Sequence, residues 1–102
     1  MSNIKPTDEH RILYELLASL KNPDEIAILL SDLCTVKEID QMEQRIRSAK
    51  LLMEGKTYIQ VCEETGISTV TLSRVSRALQ HGSGGYSQLL RDYIETSKEN
   101  NS

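Results

Sequence analysis

Residues 57–79 read TYIQVCEETGISTVTLSRVSRAL. Thr57-Tyr58-Ile59-Gln60 is a capping box: the threonine hydroxyl takes the third backbone N–H and the glutamine returns to the threonine's own N–H. It predicts a short helix over 58–65. Gly66 tolerates the positive φ of a tight turn, Ile67 can plug that turn, and Ser68 can cap a second helix over 69–80. Two short helices crossing steeply need an inward apolar residue and a small one where they touch, which Val61 and Cys62 supply. They also need an inward pair one turn apart, which Leu72 and Val75 supply. The stretch therefore predicts a helix-turn-helix over about 57–80.

The outward face of the second helix then carries Thr69, Val70, Ser73, Arg74 and Arg77. That face suits the major groove of DNA. Arginine meets the guanine edge with two donors, serine and threonine reach bases or phosphates, and methyl groups meet thymine. The helix N-terminus at Ser68, Thr69, Val70 and Thr71 offers free N–H groups to phosphate, and Lys56 precedes the first helix. The candidate DNA-binding residues are thus Lys56, Ser68, Thr69, Val70, Thr71, Ser73, Arg74 and Arg77. One competing reading is an ordinary helical hairpin in which Arg74 and Arg77 form a solvated face; another is a protein-interaction module that keeps a helix-turn-helix shape without reading DNA.

Upstream, Thr7 can cap a helix near 8–21 whose Ile12, Leu13, Leu16, Leu17 and Leu20 form one stripe. Asn22-Pro23 separates it from a second helix bearing Ile26, Leu29, Leu30 and Leu33. Thr35-Val36-Lys37-Glu38 is another capping box and opens the longest helix, near 36–54. Val36, Ile39, Met42, Ile46, Ala49, Leu52 and Met53 recur there in steps of three and four, the pattern of a helix packed against helices. Met42 and Met53 are expected in the core, and Gly55 stops the helix. Downstream, His81–Gly85 reads as a flexible break, residues 86–97 as a last helix, and residues 97–102 as a flexible tail. The fold class is all-α, about six helices in a single domain over residues 1–102.

The chain carries a net charge of −3, unevenly spread. Residues 1–44 hold four basic and nine acidic side chains, net −5, whereas residues 45–81 hold six against three, net +3. A local basic face attracts phosphate even on an acidic chain. Aromatics are four tyrosines only, so the long apolar helices are expected to complete their core against a second copy. Cys34 and Cys62 lie on apolar faces and read as reduced residues of a cytoplasmic protein. Nothing suggests a metal site, a membrane span, a signal peptide or a catalytic constellation, so no enzyme is expected.

From LLSDLC to SRVSRAL, residues 29–79, the chain resembles the tryptophan repressor family, in particular its short tryptophan-repressor-like members. The Thr35 cap, Gln44-Arg45-Ile46-Arg47, the run Leu51–Gly55 and Ser73-Arg74 carry the resemblance, which spans roughly residues 25–85. It implies an intertwined homodimer binding a palindromic double-stranded operator, acting as a repressor. It also implies an effector pocket at Thr35, Arg45 and Arg74, where the founding member takes L-tryptophan. Two positions depart from the pattern. Val75 stands where the tryptophan binder has a glycine against the indole, and Ala78 where it has a serine near the ammonium. The expectation is that tryptophan is not the effector, that no cofactor is required, and that another small effector remains open.

Single residues have plain readings too. Arg45 and Arg47 face opposite ways on the long helix, with Glu38, Glu43 and Glu54 as candidate ion-pair partners. Gln60 reads as a cap and Tyr58 as partial core. His81 reads as interacting with carbonyls at its helix end.

Overall fold

The computed structural model describes residues 8–100. Six α-helices follow in order: α1 (Asp8–Ser19), α2 (Pro23–Leu33), α3 (Val36–Met53), α4 (Tyr58–Thr65), α5 (Thr69–His81) and α6 (Arg91–Asn100). A π-helical segment, Gly85–Leu90, precedes α6. No strand occurs among the described residues. Thr7, the expected first cap, lies outside them. The chain divides into two compact units, Ile4–Asp40 and Gln41–Ser102.

The first unit takes its boundaries from short polar side chains. The Asn22 side chain accepts the Glu25 N–H at 2.9 Å, with Pro23 opening α2 behind it. Its missing N–H costs nothing at that position. Cys34 follows the last turn of α2 and donates its N–H to the Leu30 carbonyl at 2.8 Å, so it is a helix-end residue and not part of a helical face. The Thr35 N–H donates to Glu38 at 2.8 Å, and the Glu38 N–H to the Thr35 hydroxyl at 3.1 Å. Hydrogen bonds from Thr35, the backbone one foremost and the side-chain one second, hold the Glu38 carboxyl below its ordinary range. The apolar stripe of this unit is only partly covered: Leu17, Leu20, Leu29 and Leu30 are half-buried, while Leu13, Leu16, Ile26 and Leu33 are exposed. No residue of α1 or α2 is buried, and Ile12, Ile28 and Val36 are 72%, 67% and 76% exposed.

The second unit holds a core. Ala49 of α3, Val61 of α4, Ile67 of the turn, and Leu72 and Val75 of α5 are buried together. Leu51, Leu52, Cys62, Tyr86 and Leu90 pack around them. The seam expected along α3 is therefore only partly used. Met42 and Ile46 are exposed, Met53 is half-buried, and the fully covered residues are Ser48 and Ala49. The core forms where α4 and α5 lie, and of the seam Val36, Met42 and Ile46 are left exposed.

The segment after α5 differs from expectation. Gly82 caps α5, its N–H donating to the Ala78 carbonyl at 2.8 Å, and a side chain there would collide with that carbonyl. Gly84 is buried at φ 101°, and its carbonyl accepts both the Gln88 N–H (2.9 Å) and the Leu89 N–H (3.0 Å). This double acceptance winds residues 85–90 as π-helix, so Gly82–Gly85 is a structured turn and not a flexible linker. α6 then continues to Asn100, past the tail expected from Ser97, because no glycine or proline interrupts it. Residues 101–102 lie outside the described residues.

Candidate nucleic-acid interface

α4 and α5 form as the capping patterns dictate. The Thr57 hydroxyl accepts the Gln60 N–H at 3.2 Å while the Gln60 side chain accepts the Thr57 N–H at 2.9 Å. α4 ends at Gly66, whose φ of 76° belongs to the left-handed region. Ile67 is buried in the turn, and the Ser68 hydroxyl accepts the Thr71 N–H at 3.1 Å to open α5. Leu72 and Val75 point into the core, which leaves the opposite stripe of α5 in solvent.

That stripe contains Thr69, Val70, Ser73, Arg74 and Arg77, all exposed, with Val70 at 68%. Val70, Ser73, Arg74 and Arg77 also line a groove of about 600 Å³ with Ala78, His81 and Gly82. Two predicted residues serve the helix end as well. Ser68 Oγ donates to Thr71 Oγ1 at 3.0 Å, so both side chains are engaged in the cap, and Thr71 is half-buried. Lys56 is exposed, with its ammonium 3.9 Å from Glu64.

The cations divide by partnership. Arg47 pairs with Glu43 at 2.9 Å, as a helical neighbour four residues away should. Among the described residues, Arg45, Arg74 and Arg77 pair with no carboxylate. Arg45 and Arg74 come together on a second, open cavity of about 310 Å³, lined also by Thr71, Val75, Ala78 and Tyr86. Two guanidiniums without counter-charge can hold one anionic group. Thr35, the third residue expected there, belongs to the Ile4–Asp40 unit, where its hydroxyl caps α3.

A polar set absent from the sequence reading holds the turn in place. Gln44 Nε2 donates to the Thr65 carbonyl at 2.9 Å, and Arg47 Nη1 to the Glu64 carbonyl at 3.4 Å. Ser48 Oγ donates to Thr65 Oγ1 at 3.3 Å. The only sequence signal was the spacing of Gln44, Arg47 and Ser48, which share one helical face of α3.

The model of the Trp repressor protein family matches residues 8–94, most of this chain. The chain belongs to the Trp repressor family. Among curated relatives, YerC from Bacillus subtilis (strain 168) is 41% identical over 90 residues, covering 88% of this chain and 86% of YerC. Two crystal structures share the fold. One is of a TrpR-like protein from Eubacterium eligens, with TM-score 0.81, 39% identity, and 85% of this chain and 90% of that one covered. The other is of a candidate Trp repressor from Staphylococcus aureus, with TM-score 0.81, 36% identity, and 86% and 88% covered. Within this Trp repressor family member, Val75 and Ala78 both stand in the wall of the Arg45–Arg74 cavity, and Val75 is 3% exposed. Among the described residues no helix is long and apolar enough to cross a membrane.

Proposed function

We propose that this protein is a sequence-specific DNA-binding transcription regulator, a repressor, acting as a cytoplasmic homodimer on a palindromic operator. The observation that carries the reading is the outward stripe of α5: Val70 and Ser73 beside two arginines without counter-charge, on a helix-turn-helix. Family membership supports it. Arg74 and Arg77 serve as base or phosphate donors, Ser73, Thr69 and Val70 as short groove contacts, and the first-turn N–H groups of α5 at Thr69 and Val70, ahead of the capped Thr71 N–H, as a phosphate seat. Lys56 adds a backbone contact once Glu64 releases it.

The homodimer reading rests on the exposed part of the apolar stripes, Ile12 and Leu16 of α1, Ile26 and Leu33 of α2, and Met42 and Ile46 of α3. A two-fold dimer sets two copies of α5 about one DNA turn apart, roughly 34–36 Å. The protein needs no L-tryptophan, because valine at 75 adds volume and alanine at 78 supplies no hydroxyl in the Arg45–Arg74 cavity. The overall charge of −3 favours the competing reading, an interaction module that does not engage DNA.

Selection from a random duplex pool at moderate salt, with and without L-tryptophan, tests these points. The expected outcome is a palindrome with half-sites one turn apart, recovered equally in both conditions. Recovery only with tryptophan overturns the reading of Val75 and Ala78. No enrichment in either condition contradicts the DNA reading.

A further inference from the structure

We propose that Gln44, Ser48 and Thr65 form a positioning lock that fixes the helix-turn-helix to α3 and so sets how α5 is presented; the DNA side of this rests on the function proposed above. The last turn of any helix leaves carbonyls without intrahelical partners. In α4 the Cys62 carbonyl is taken by the Gly66 N–H at 2.9 Å. The Thr65 and Glu64 carbonyls are taken from outside, by the Gln44 amide (2.9 Å) and the Arg47 guanidinium (3.4 Å) of α3. α3 thus caps α4 with its side chains, and the arginine suits the negative end of that helix.

Thr65 is the node. Its hydroxyl donates to the Val61 carbonyl at 2.7 Å and accepts from the Ile67 N–H (3.1 Å) and Ser48 Oγ (3.3 Å), which uses its full capacity. Thr65 is buried and Ser48 fully so, and no buried side-chain polar atom among the described residues lacks a partner. The same hydroxyl therefore touches α3, the last turn of α4 and the turn residue that leads into α5. Apolar packing at Ala49, Val61 and Ile67 resists separation but tolerates sliding, whereas these directional bonds have one satisfactory register. Gln44 Nε2 also lies 3.7 Å from where a side chain at Gly66 would begin, so the amide rests over the turn itself.

The test combines amide hydrogen exchange with duplex affinity on the full chain. Gln44→Met keeps the shape and removes the donor, Thr65→Val removes the hydroxyl, and Thr65→Ser retains it. Each donor-removing variant should raise exchange over residues 64–76 roughly tenfold or more while exchange in the middle of α3 stays near wild type. Each should weaken binding to the palindrome recovered from the pool by a similar factor, and Thr65→Ser should restore both. Gln44 is only half-buried, so Gln44→Met decides the matter if Thr65→Val fails to fold. Unchanged exchange at 64–76, or a rise spread evenly over all helices, overturns the lock whatever happens with DNA. Locally faster exchange with undiminished affinity overturns its role in presentation and leaves the DNA reading standing. A wild type that binds no duplex overturns the DNA reading itself, and exchange alone then decides whether the lock exists.

Discussion

Leu72 and Val75 of α5 are buried within a single chain, whereas Ile12, Leu13 and Leu16 of α1, recurring at the same helical spacing, are exposed. Both stripes have the sequence pattern of a helix packed on helices. They differ in what is supplied nearby. α5 meets α4 across a turn of three residues, with Ile67 filling the angle and α3 bonded to the end of α4. Among the described residues, the side-chain hydrogen bonds of α1 and α2 stay within four residues of themselves and tie neither helix to a distant one. Periodicity thus tells which face of a helix needs cover; whether the cover comes from the same chain depends on turns and caps that bring helices together.

The largest expected effect follows from the uncovered side. If a second copy covers this stripe, as proposed, wild type should sediment as a dimer at micromolar concentration and Ile12→Glu as a monomer. Each covered aliphatic side chain is worth about 1.5–3 kcal/mol and counts twice in a symmetric interface. A dimer unaffected by the glutamate would mean that α1 is not what a second copy covers. On the covered side, Leu72→Ala should lower unfolding free energy by about 2–5 kcal/mol in denaturant titration. A loss below 1 kcal/mol would show that the α4–α5 core is far looser than its burial indicates.

Smaller effects sharpen the comparison at the helix ends. Gly66→Ala places a Cβ at φ 76° and should cost about 1–2 kcal/mol, read as a lowered thermal midpoint. Thr57→Ala should cost about 1 kcal/mol by removing one half of a capping box. The smallest is electrostatic. Glu38 is exposed, and its carboxyl titrates below the ordinary value because it accepts hydrogen bonds from Thr35. A lowered folded-state pKa stabilises the fold above the unfolded-state value, and that contribution disappears as pH falls through the folded one. Thermal midpoints of wild type and Glu38→Gln should therefore differ slightly at neutral pH and converge in acid. A gap that widens in acid would reverse the sign of this account.

Much of the fold was legible because short-range chemistry carries it. Asn22-Pro23, Thr35–Glu38, Thr57–Gln60, Gly66 and Ser68 each satisfy groups within four residues of themselves, and all sit where their patterns put them. The π-helical turn was not legible, since it arises from one carbonyl at Gly84 serving two donors. Nor was the exposure of Met42 and Ile46, because a stripe says nothing of which partner covers it. At the candidate site the outward face of α5 could be read from alternation with Leu72 and Val75. Lys56 and Arg47 acquired acidic partners, Glu64 and Glu43, that spacing alone did not select over others. The role of Thr65 was hidden because its partners at 44 and 48 are distant in sequence.

The central claim, that the uncompensated arginines of α5 meet DNA, is tested most directly by the salt dependence of affinity for the selected duplex. Wild type should lose affinity steeply and linearly on a log–log plot as salt rises, through release of counterions from neutralised phosphates. Arg74→Ala and Arg77→Ala should each bind less tightly, by about 1–3 kcal/mol where a base is held in bidentate fashion, or flatten the slope by about one where a phosphate is held. A flat salt dependence in wild type, or full affinity and an unchanged slope in both variants, would contradict the account.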